Sequence, residues 1–272
     1  MRLIPAAAVL LALAAASAAT AQTPSIVEGR LDERRVTGSL EREFAAIVRE
    51  SADTSWIGYA VRGRERSSGD GCWDGRNSRR TAPVKLEGSS DLFVLYRVEN
   101  RAVGRIQIAS PDCALDVGGL TLHWLTNVTA AESLDWLSTF SRGDTSQKVA
   151  NGAIVAIALH GDAAAVDRLV ALAKDGRDRQ TRSTALFWVS QRAGERAAGT
   201  ITDAIDRDPD TQVKRQAVFA LSQLPRGEGV PRLIDVAKNN RNPEVRKQAM
   251  FWLGQSQDPR ALAFFEEVLR GR

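Results

Sequence analysis

The sequence predicts a mostly α-helical chain in which a small α+β domain with an antiparallel sheet precedes a C-terminal α-solenoid of about four helical pairs. The segment TRSTALFWVSQR, which begins at Thr181, recurs 32 residues later as VKRQAVFALSQL and after another 32 as VRKQAMFWLGQS. Residues 39–128 instead change between the helical period and the strand period of two. The architecture is therefore better specified than the function, because repeat arrays mostly bind other molecules without revealing which.

The first 21 residues are typical of a secretory signal peptide. Arg2 precedes a long apolar run, which ends in the small-residue cleavage pattern Ala19-Thr20-Ala21. We expect cleavage before Gln22 and an exported protein, either periplasmic or secreted. A membrane anchor is the alternative, but the run is rich in alanine and no stop-transfer charges follow it. The expectation is thus that no integral membrane span remains after cleavage.

The overall composition is that of soluble globular protein and does not indicate nucleic-acid binding. Of 272 residues, 43% are hydrophobic, and 37 basic against 33 acidic side chains leave a formal charge of only +4. A phosphate backbone requires a continuous basic surface, and the charges predicted on the second helices of the repeats have mixed signs. We therefore expect no nucleic-acid partner.

The two cysteines are predicted to form a disulfide between Cys72 and Cys113. An even number of cysteines in an exported protein favours a disulfide over a metal site or a catalytic pair. Two unpaired buried thiols are the alternative.

The region before the repeats divides into a leader and a small domain. Residues 22–38 show no sustained apolar period and are predicted to be a flexible leader. Over 39–128, Ser39 caps a predicted helix, SWIGYAV alternates like a strand, and a long loop, a hairpin and a last strand follow. This order predicts a small disulfide-stapled α+β domain.

Residues 129–272 are predicted to form the solenoid. Thr129 stands three residues before Glu132, which is the capping-box spacing, and a capping helix over 130–140 should shield the first repeat. Two positions four residues apart repeat through the first helix of each pair, and both should face the core. These columns are Ala153, Ala185, Ala217, Ala249 and Ile157, Val189, Leu221, Leu253.

The segments DPDTQVKRQAVFALSQL and NNRNPEVRKQAMFWLGQ resemble the short, bacterial, phycobilisome-lyase-like class of HEAT repeats. The resemblance covers about residues 141–272 and implies a scaffold or binding surface. In that family an acidic turn residue and a basic residue six positions later commonly support the turns between helices. Asp208 with Lys214 fits this pattern, whereas Arg182 has Gly176 at the corresponding position.

One aromatic column is predicted to lie away from the main apolar face. Phe187, Phe219 and Phe251 are about 200° around the helix from the alanine column, and Gln191, Gln223 and Gln255 follow on the same side. An exposed row of this kind is a candidate protein-binding surface. Alternatively, the rings fill the space between successive first helices. Trp188 and Trp252 border the main apolar face, where core packing or recognition is possible for both.

No catalytic constellation is recognisable in the sequence, so the predicted function is that of an exported, non-catalytic scaffold or adaptor. Neither His123 nor His160 belongs to a cluster with metal-ligand spacing, and no phosphate-binding loop occurs. We therefore assign no metal, cofactor or catalytic residue, and the oligomeric state stays open. The alternative is an exported enzyme or ligand-binding protein whose site in the N-terminal domain contains Trp73, Asp74 and Asp112.

Overall fold

The structure is a computed structural model that describes residues 23–51, 54–64, 90–192 and 195–271. A five-stranded sheet and one helix form the N-terminal part, and nine further α-helices follow in the described chain. The predicted signal peptide and Cys72 lie outside the described residues. Cleavage and the Cys72–Cys113 disulfide therefore remain predictions.

The first strand, β1 (Ile26–Arg35), corrects the prediction of a flexible leader over 22–38. It pairs in parallel with β5 (Leu115–Thr126), with Leu31 opposite Leu122 and Arg35 opposite Thr126. Most of its side chains are exposed or half-buried, and main-chain pairing holds it at the sheet edge. An edge strand with so few apolar side chains produces no clear period in the sequence.

The sheet is mixed, so the prediction of an antiparallel sheet is only partly right. The other strands are β2 (Ser55–Arg62), β3 (Asp91–Glu99) and β4 (Ala102–Ala109), and the strand order is β1-β5-β2-β3-β4. The β3–β4 hairpin has the expected antiparallel form and also pairs β3 antiparallel to β2. The last strand, β5, then inserts between β1 and β2 and is parallel to both.

The helix α1 (Leu40–Glu50) covers one face of this sheet. Ser39 caps it by accepting a hydrogen bond from the Arg42 main-chain N–H, and Phe44 packs edge-on against Tyr96 at 5.1 Å between ring centres. The hydroxyl groups of Tyr59 and Tyr96 lie 2.7 Å apart in the core. Burial raises the pKa of Tyr59 to about 12, so this hydroxyl stays protonated and can donate.

The capping helix and the four helical pairs are present as the sequence predicts. In α2 (Ala130–Arg142), Thr129 and Glu132 form the expected reciprocal capping box. The first helices of the pairs are α3 (Gln147–Leu159), α5 (Arg179–Arg192), α7 (Thr211–Ser222) and α9 (Pro243–Gln255). The second helices are α4 (Ala164–Asp175), α6 (Glu195–Arg207), α8 (Val230–Asn239) and α10 (Pro259–Leu269).

The two apolar columns of the first helices form the core of the array. All eight side chains are at most 1% exposed, and each first helix packs on the next one along the array. A partly buried ion pair links two repeats, because Arg182 donates from Nε and a terminal nitrogen to the two oxygens of Asp208, at 2.7 and 3.1 Å. Asp208 raises the pKa of Arg182 accordingly.

The turn pattern taken from the family resemblance is different in detail. The basic residue bonds to main-chain carbonyl oxygens at the end of the preceding helix, as Arg182 does with Gly176 O at 3.1 Å and Arg246 with Asn240 O at 2.8 Å. Lys214 bonds to Asp206 O at 2.7 Å rather than to the Asp208 side chain. A cation near a helix C-terminus satisfies carbonyls that have no partner within the helix.

The sheet and the array share one apolar core. Its buried side chains run continuously from Leu40 on α1 to Phe264 on α10. At the junction, the end of β2 exchanges main-chain hydrogen bonds with the end of α3, through Arg64 N to Leu159 O at 3.0 Å and Gly161 N to Arg62 O at 2.7 Å. The first repeat is therefore fixed against the N-terminal domain.

Candidate partner-binding surface

The predicted aromatic residues form a continuous ladder across three first helices. Phe187 stacks on Phe219 with parallel planes and ring centres 6.5 Å apart, and Phe219 contacts Trp252 at 4.9 Å. Phe251 and Phe187 each meet the neighbouring tryptophan edge-on, at 5.0 and 5.3 Å. We call these residues the aromatic ladder: Phe187, Trp188, Phe219, Phe251 and Trp252.

Four residues of the aromatic ladder are half-buried and one is exposed. Phe187 and Phe219 are half-buried because each packs against a ring of the next repeat, whereas 54% of Phe251 is exposed. Both tryptophans are half-buried and pack on the array core. The rings thus fill the space between first helices and at the same time present an apolar surface, which is most accessible on α9.

Exposed amides border this surface at every one of these repeats. Gln191, Gln223 and Gln255 stand one helical turn after the three phenylalanines and are all exposed. Gln223 donates to the Ser222 hydroxyl at 3.1 Å, which leaves its carbonyl oxygen available to accept from a partner. Gln191 and Gln255 lie within α5 and α9, whereas Gln223 is the residue that caps the C-terminus of α7.

A groove of about 550 Å³ lies beside the ladder, between α5 and α7. Phe187 contributes an apolar wall, while the other side chains are hydroxyl, amide or guanidinium groups. The lining residues are Arg179, Gln180, Ser183, Thr184, Phe187, Gln212 and Gln216. Sequence reasoning missed this groove, although two of its positions repeat through the array: Gln180 with Gln212, and Thr184 with Gln216 and Gln248.

The charge around the groove is predominantly basic. Arg179 and Lys247 are exposed, and Arg215 is half-buried and donates to the amide oxygen of Gln248 at 3.3 Å. On α9, Glu244 stands at the position that Gln180 and Gln212 have on α5 and α7, and it adds one acidic side chain to this surface. The surface therefore combines an apolar ladder, hydrogen-bonding side chains and a modest positive charge.

The alternative site in the N-terminal domain cannot be assembled from the described residues. Trp73 and Asp74 lie outside them, and Asp112 is exposed in the turn that follows β4. A depression of about 440 Å³ in the same domain is lined by other residues, which include Trp56, Arg97 and Asp116. Arg97 lies over the Trp56 ring, 5.9 Å from its centre.

A different polar cluster in that domain has the order of a serine-hydrolase triad. Ser51 Oγ lies 3.2 Å from His123 Nε2, and His123 Nδ1 lies 2.8 Å from Asp32 Oδ2. The hydrogen bond from His123 and a second one from Arg34 hold the pKa of Asp32 below its usual value. The sequence did not reveal this cluster, because Asp32 lies in the strand that was predicted as a leader.

Among the described residues, no group of three or more histidine, cysteine, aspartate or glutamate side chains is arranged to hold a metal ion. The helices in the described ranges are also too short or too polar to cross a membrane.

Comparison with known proteins finds a family similarity in the second half of the array. The family model for HEAT repeats matches residues 199–271. The matched residues include Phe219, Phe251 and Trp252 of the aromatic ladder.

One similar solved structure is the complex of CpcE and CpcF of phycocyanin lyase from Nostoc sp. PCC7120, with a TM-score of 0.39 and 19% sequence identity. The alignment covers 52% of this chain and 90% of that chain. A comparison with curated proteins finds no match.

Proposed function

We propose that this protein is a non-catalytic scaffold or adaptor that binds another protein through the aromatic ladder of its HEAT repeats. The observation that carries this proposal is the unbroken ring contact from Phe187 through Phe219 and Trp252 to Phe251. Aromatic side chains are enriched at the core of protein interfaces, and polar side chains usually form the rim around them. The array holds them in a fixed arrangement, so little conformational entropy is lost on binding.

The proposal includes export of the chain. Its support is the signal-like pattern of residues 1–21. Expression in a bacterial host, followed by intact-mass analysis of the periplasmic fraction, tests this part. We expect a chain that begins at Gln22, and a full-length cytoplasmic product would contradict it.

Site-specific photocrosslinking tests the binding surface. A benzoylphenylalanine at Phe251 keeps an aromatic ring at the most exposed rung, and the same group at Leu262 provides the control, because Leu262 is 64% exposed on α10 outside the ladder. In extracts of the exported fraction we expect one crosslinked protein from position 251 and none from 262. Crosslinks from 262 alone, or from neither position, would count against the proposal.

The second candidate function is hydrolysis of a small acyl ester at Ser51. His123 Nε2 would take the Ser51 proton as Oγ attacks the ester carbonyl, then pass it to the leaving alcohol, and water would release the acid from the acyl-serine. The hydrogen-bonded order Ser51–His123–Asp32 supports this candidate. It ranks second because Ser51 follows the C-terminus of α1, where the helix dipole disfavours an oxyanion.

A fluorophosphonate probe tests the second candidate. An activated Ser51 gives a covalent adduct that is absent in Ser51→Ala and much slower to form in His123→Gln. Ser110→Ala is the matched control, since this serine also lies just outside a regular element of the N-terminal domain. Absence of the adduct, or labelling that ignores His123→Gln, excludes an activated serine.

A further inference from the structure

The first repeat already binds an extended segment on the face that carries the groove in later repeats. The edge strand β4 packs on α3, and Gly152 allows its main chain to come close. A methyl group added at Gly152 would lie 2.6 Å from the Ile106 carbonyl oxygen. Counting by the 32-residue period, Gly152 corresponds to Thr184, Gln216 and Gln248.

Alternate positions of β4 supply the apolar side chains of this contact. Ile106 is 5% exposed and Ile108, two residues later, is half-buried, and both pack in the common core. Val103 reaches the same core from three residues before Ile106, beyond a register shift in the β3–β4 pairing. Gln107 lies between Ile106 and Ile108 and is half-buried. The strand therefore meets the helices through one face, as the period of two in an extended chain requires.

The open groove continues this occupied face along the array. Because α3 packs on α5 and α5 packs on α7, Thr184 and Gln216 follow Gly152 on successive first helices. First helices that pack about 8–10 Å apart are spanned by about three extended residues each. A segment of roughly seven residues would thus cross from α5 to α9 beside the ladder.

The residues that replace glycine in the later repeats suit a strand from outside the chain. Thr184 and Gln216 line the groove with a hydroxyl and an amide, which can both donate and accept. The main chain of an extended segment has N–H and C=O groups that need such partners. The basic side chains at Arg179, Arg215 and Lys247 would in addition favour acidic residues beside the apolar ones.

We infer that the partner contributes an extended segment, with apolar side chains at every second position and acidic residues between or beside them. The segment lies across α5, α7 and α9 as β4 lies on α3. This inference rests on the proposed protein-binding function and specifies the conformation of the bound segment.

Selection of displayed random 12-residue peptides on the folded full chain tests this inference. We expect enriched peptides in which apolar residues alternate with polar ones and acidic residues outnumber basic ones. A synthetic peptide with the consensus sequence should bind Thr184→Arg at least tenfold more weakly, because a long cation fills the groove. Leu262→Glu is the control and should bind equally well, and circular dichroism should show both variants folded.

The possible failures separate the inference from the function on which it rests. Peptides with apolar residues spaced three and four apart, weakened by Thr184→Arg, would show that a helix occupies the groove, which overturns the inference alone. Selection without enrichment overturns it too, while a photocrosslink at Phe251 would still support the function. Peptides that bind Thr184→Arg with unchanged affinity but no longer bind Leu262→Glu would place the binding site on α10. That result would overturn both the inference and the proposed function.

Discussion

The first repeat and the three later repeats present the same helix face in two different environments. On α3 the face is covered by β4, and the residues there include Gly152 and Leu159, which packs on the common core. On α5, α7 and α9 the corresponding positions have hydroxyl or amide side chains. These are Thr184, Gln216, Gln248, Gln191, Gln223 and Gln255.

This difference shows that the residue types follow what covers the face. A glycine allows main chain to approach closely, and a leucine needs an apolar neighbour, so both suit a permanent contact. Amides keep their hydrogen bonds with water when no partner is present and can exchange them for bonds to a partner. The later repeats therefore have a face that is stable when exposed and also able to bind.

The largest expected loss of stability comes from removing the ion pair that joins the later repeats. Asp208→Ala leaves Arg182 without its carboxylate in a site where the two side chains are 5% and 13% exposed. Loss of one partner from a fully buried ion pair costs about 3–5 kcal/mol. Because Arg182 is partly exposed and keeps its hydrogen bond to Gly176 O, we expect a loss of about 3 kcal/mol of unfolding free energy. Urea unfolding measures this loss of free energy. Hydrogen exchange of the variant should show that α5 and α7 lose protection before α3.

An exposed ion pair provides the control for Asp208→Ala. Asp135 pairs with Arg168 on the surface, and Asp135→Ala should change the unfolding free energy by less than about 1 kcal/mol. Equal losses from the two variants would mean that Arg182–Asp208 does not hold the repeats together.

Acid should destabilise the junction between the first repeat and the N-terminal domain. His160 is fully buried at the end of α3, and this burial lowers its pKa to about 4, against 6.5 for an ordinary histidine. The unfolded chain therefore binds the proton first, so stability is complete above pH 6.5 and falls as the pH drops towards 4. The loss from this group between pH 7 and pH 4 is about 3 kcal/mol.

Comparison with His160→Asn isolates this histidine from other titrating groups. His160 Nδ1 accepts a hydrogen bond from the Asp162 N–H at 3.3 Å, and the asparagine oxygen offers a similar acceptor. Urea unfolding at several pH values should give a shallower pH dependence for the variant. Parallel curves for the two proteins would contradict the assignment.

A methyl group at Gly152 tests the strand contact directly. Because it would lie 2.6 Å from the Ile106 carbonyl oxygen, Gly152→Ala should displace β4 and cost about 2 kcal/mol. Gly199 on α6 is the matched control, since nothing lies within 4 Å of an added methyl group there. Gly199→Ala should instead stabilise the chain by about 1 kcal/mol through helix propensity. Thermal unfolding of both variants decides between these signs.

The sequence was sufficient for the array and insufficient for the sheet topology. The columns through Ala185 and Val189 repeat with a fixed period and leave only one way to bury both, so the helical pairs were predictable. The edge strand β1 has no comparable signal, because main-chain pairing rather than side-chain burial holds it. Missing β1 also meant missing the parallel pairings and the Asp32–His123 contact.

The candidate surface was predictable only in part for a similar reason. Helical geometry fixes the side on which Phe187 and Gln191 lie, but the contacts between rings of neighbouring repeats depend on how closely the helices pack. The groove through Thr184 and Gln216 became recognisable once β4 was seen on Gly152. That contact joins segments about 45 residues apart, between which no pattern in the sequence indicates a relation.

The smallest expected effect on stability is that of replacing the most exposed residue of the aromatic ladder. Phe251 is 54% exposed, so Phe251→Ser should change the unfolding free energy by no more than about 0.5 kcal/mol. Phe219→Ala should cost about 2 kcal/mol, because this ring packs between Phe187 and Trp252. The effect of Phe251→Ser on binding should be large although its effect on stability is small. We expect at least a tenfold weaker affinity for the selected peptide, measured by calorimetry. Unchanged affinity in this folded variant would restrict the binding surface to the groove between α5 and α7.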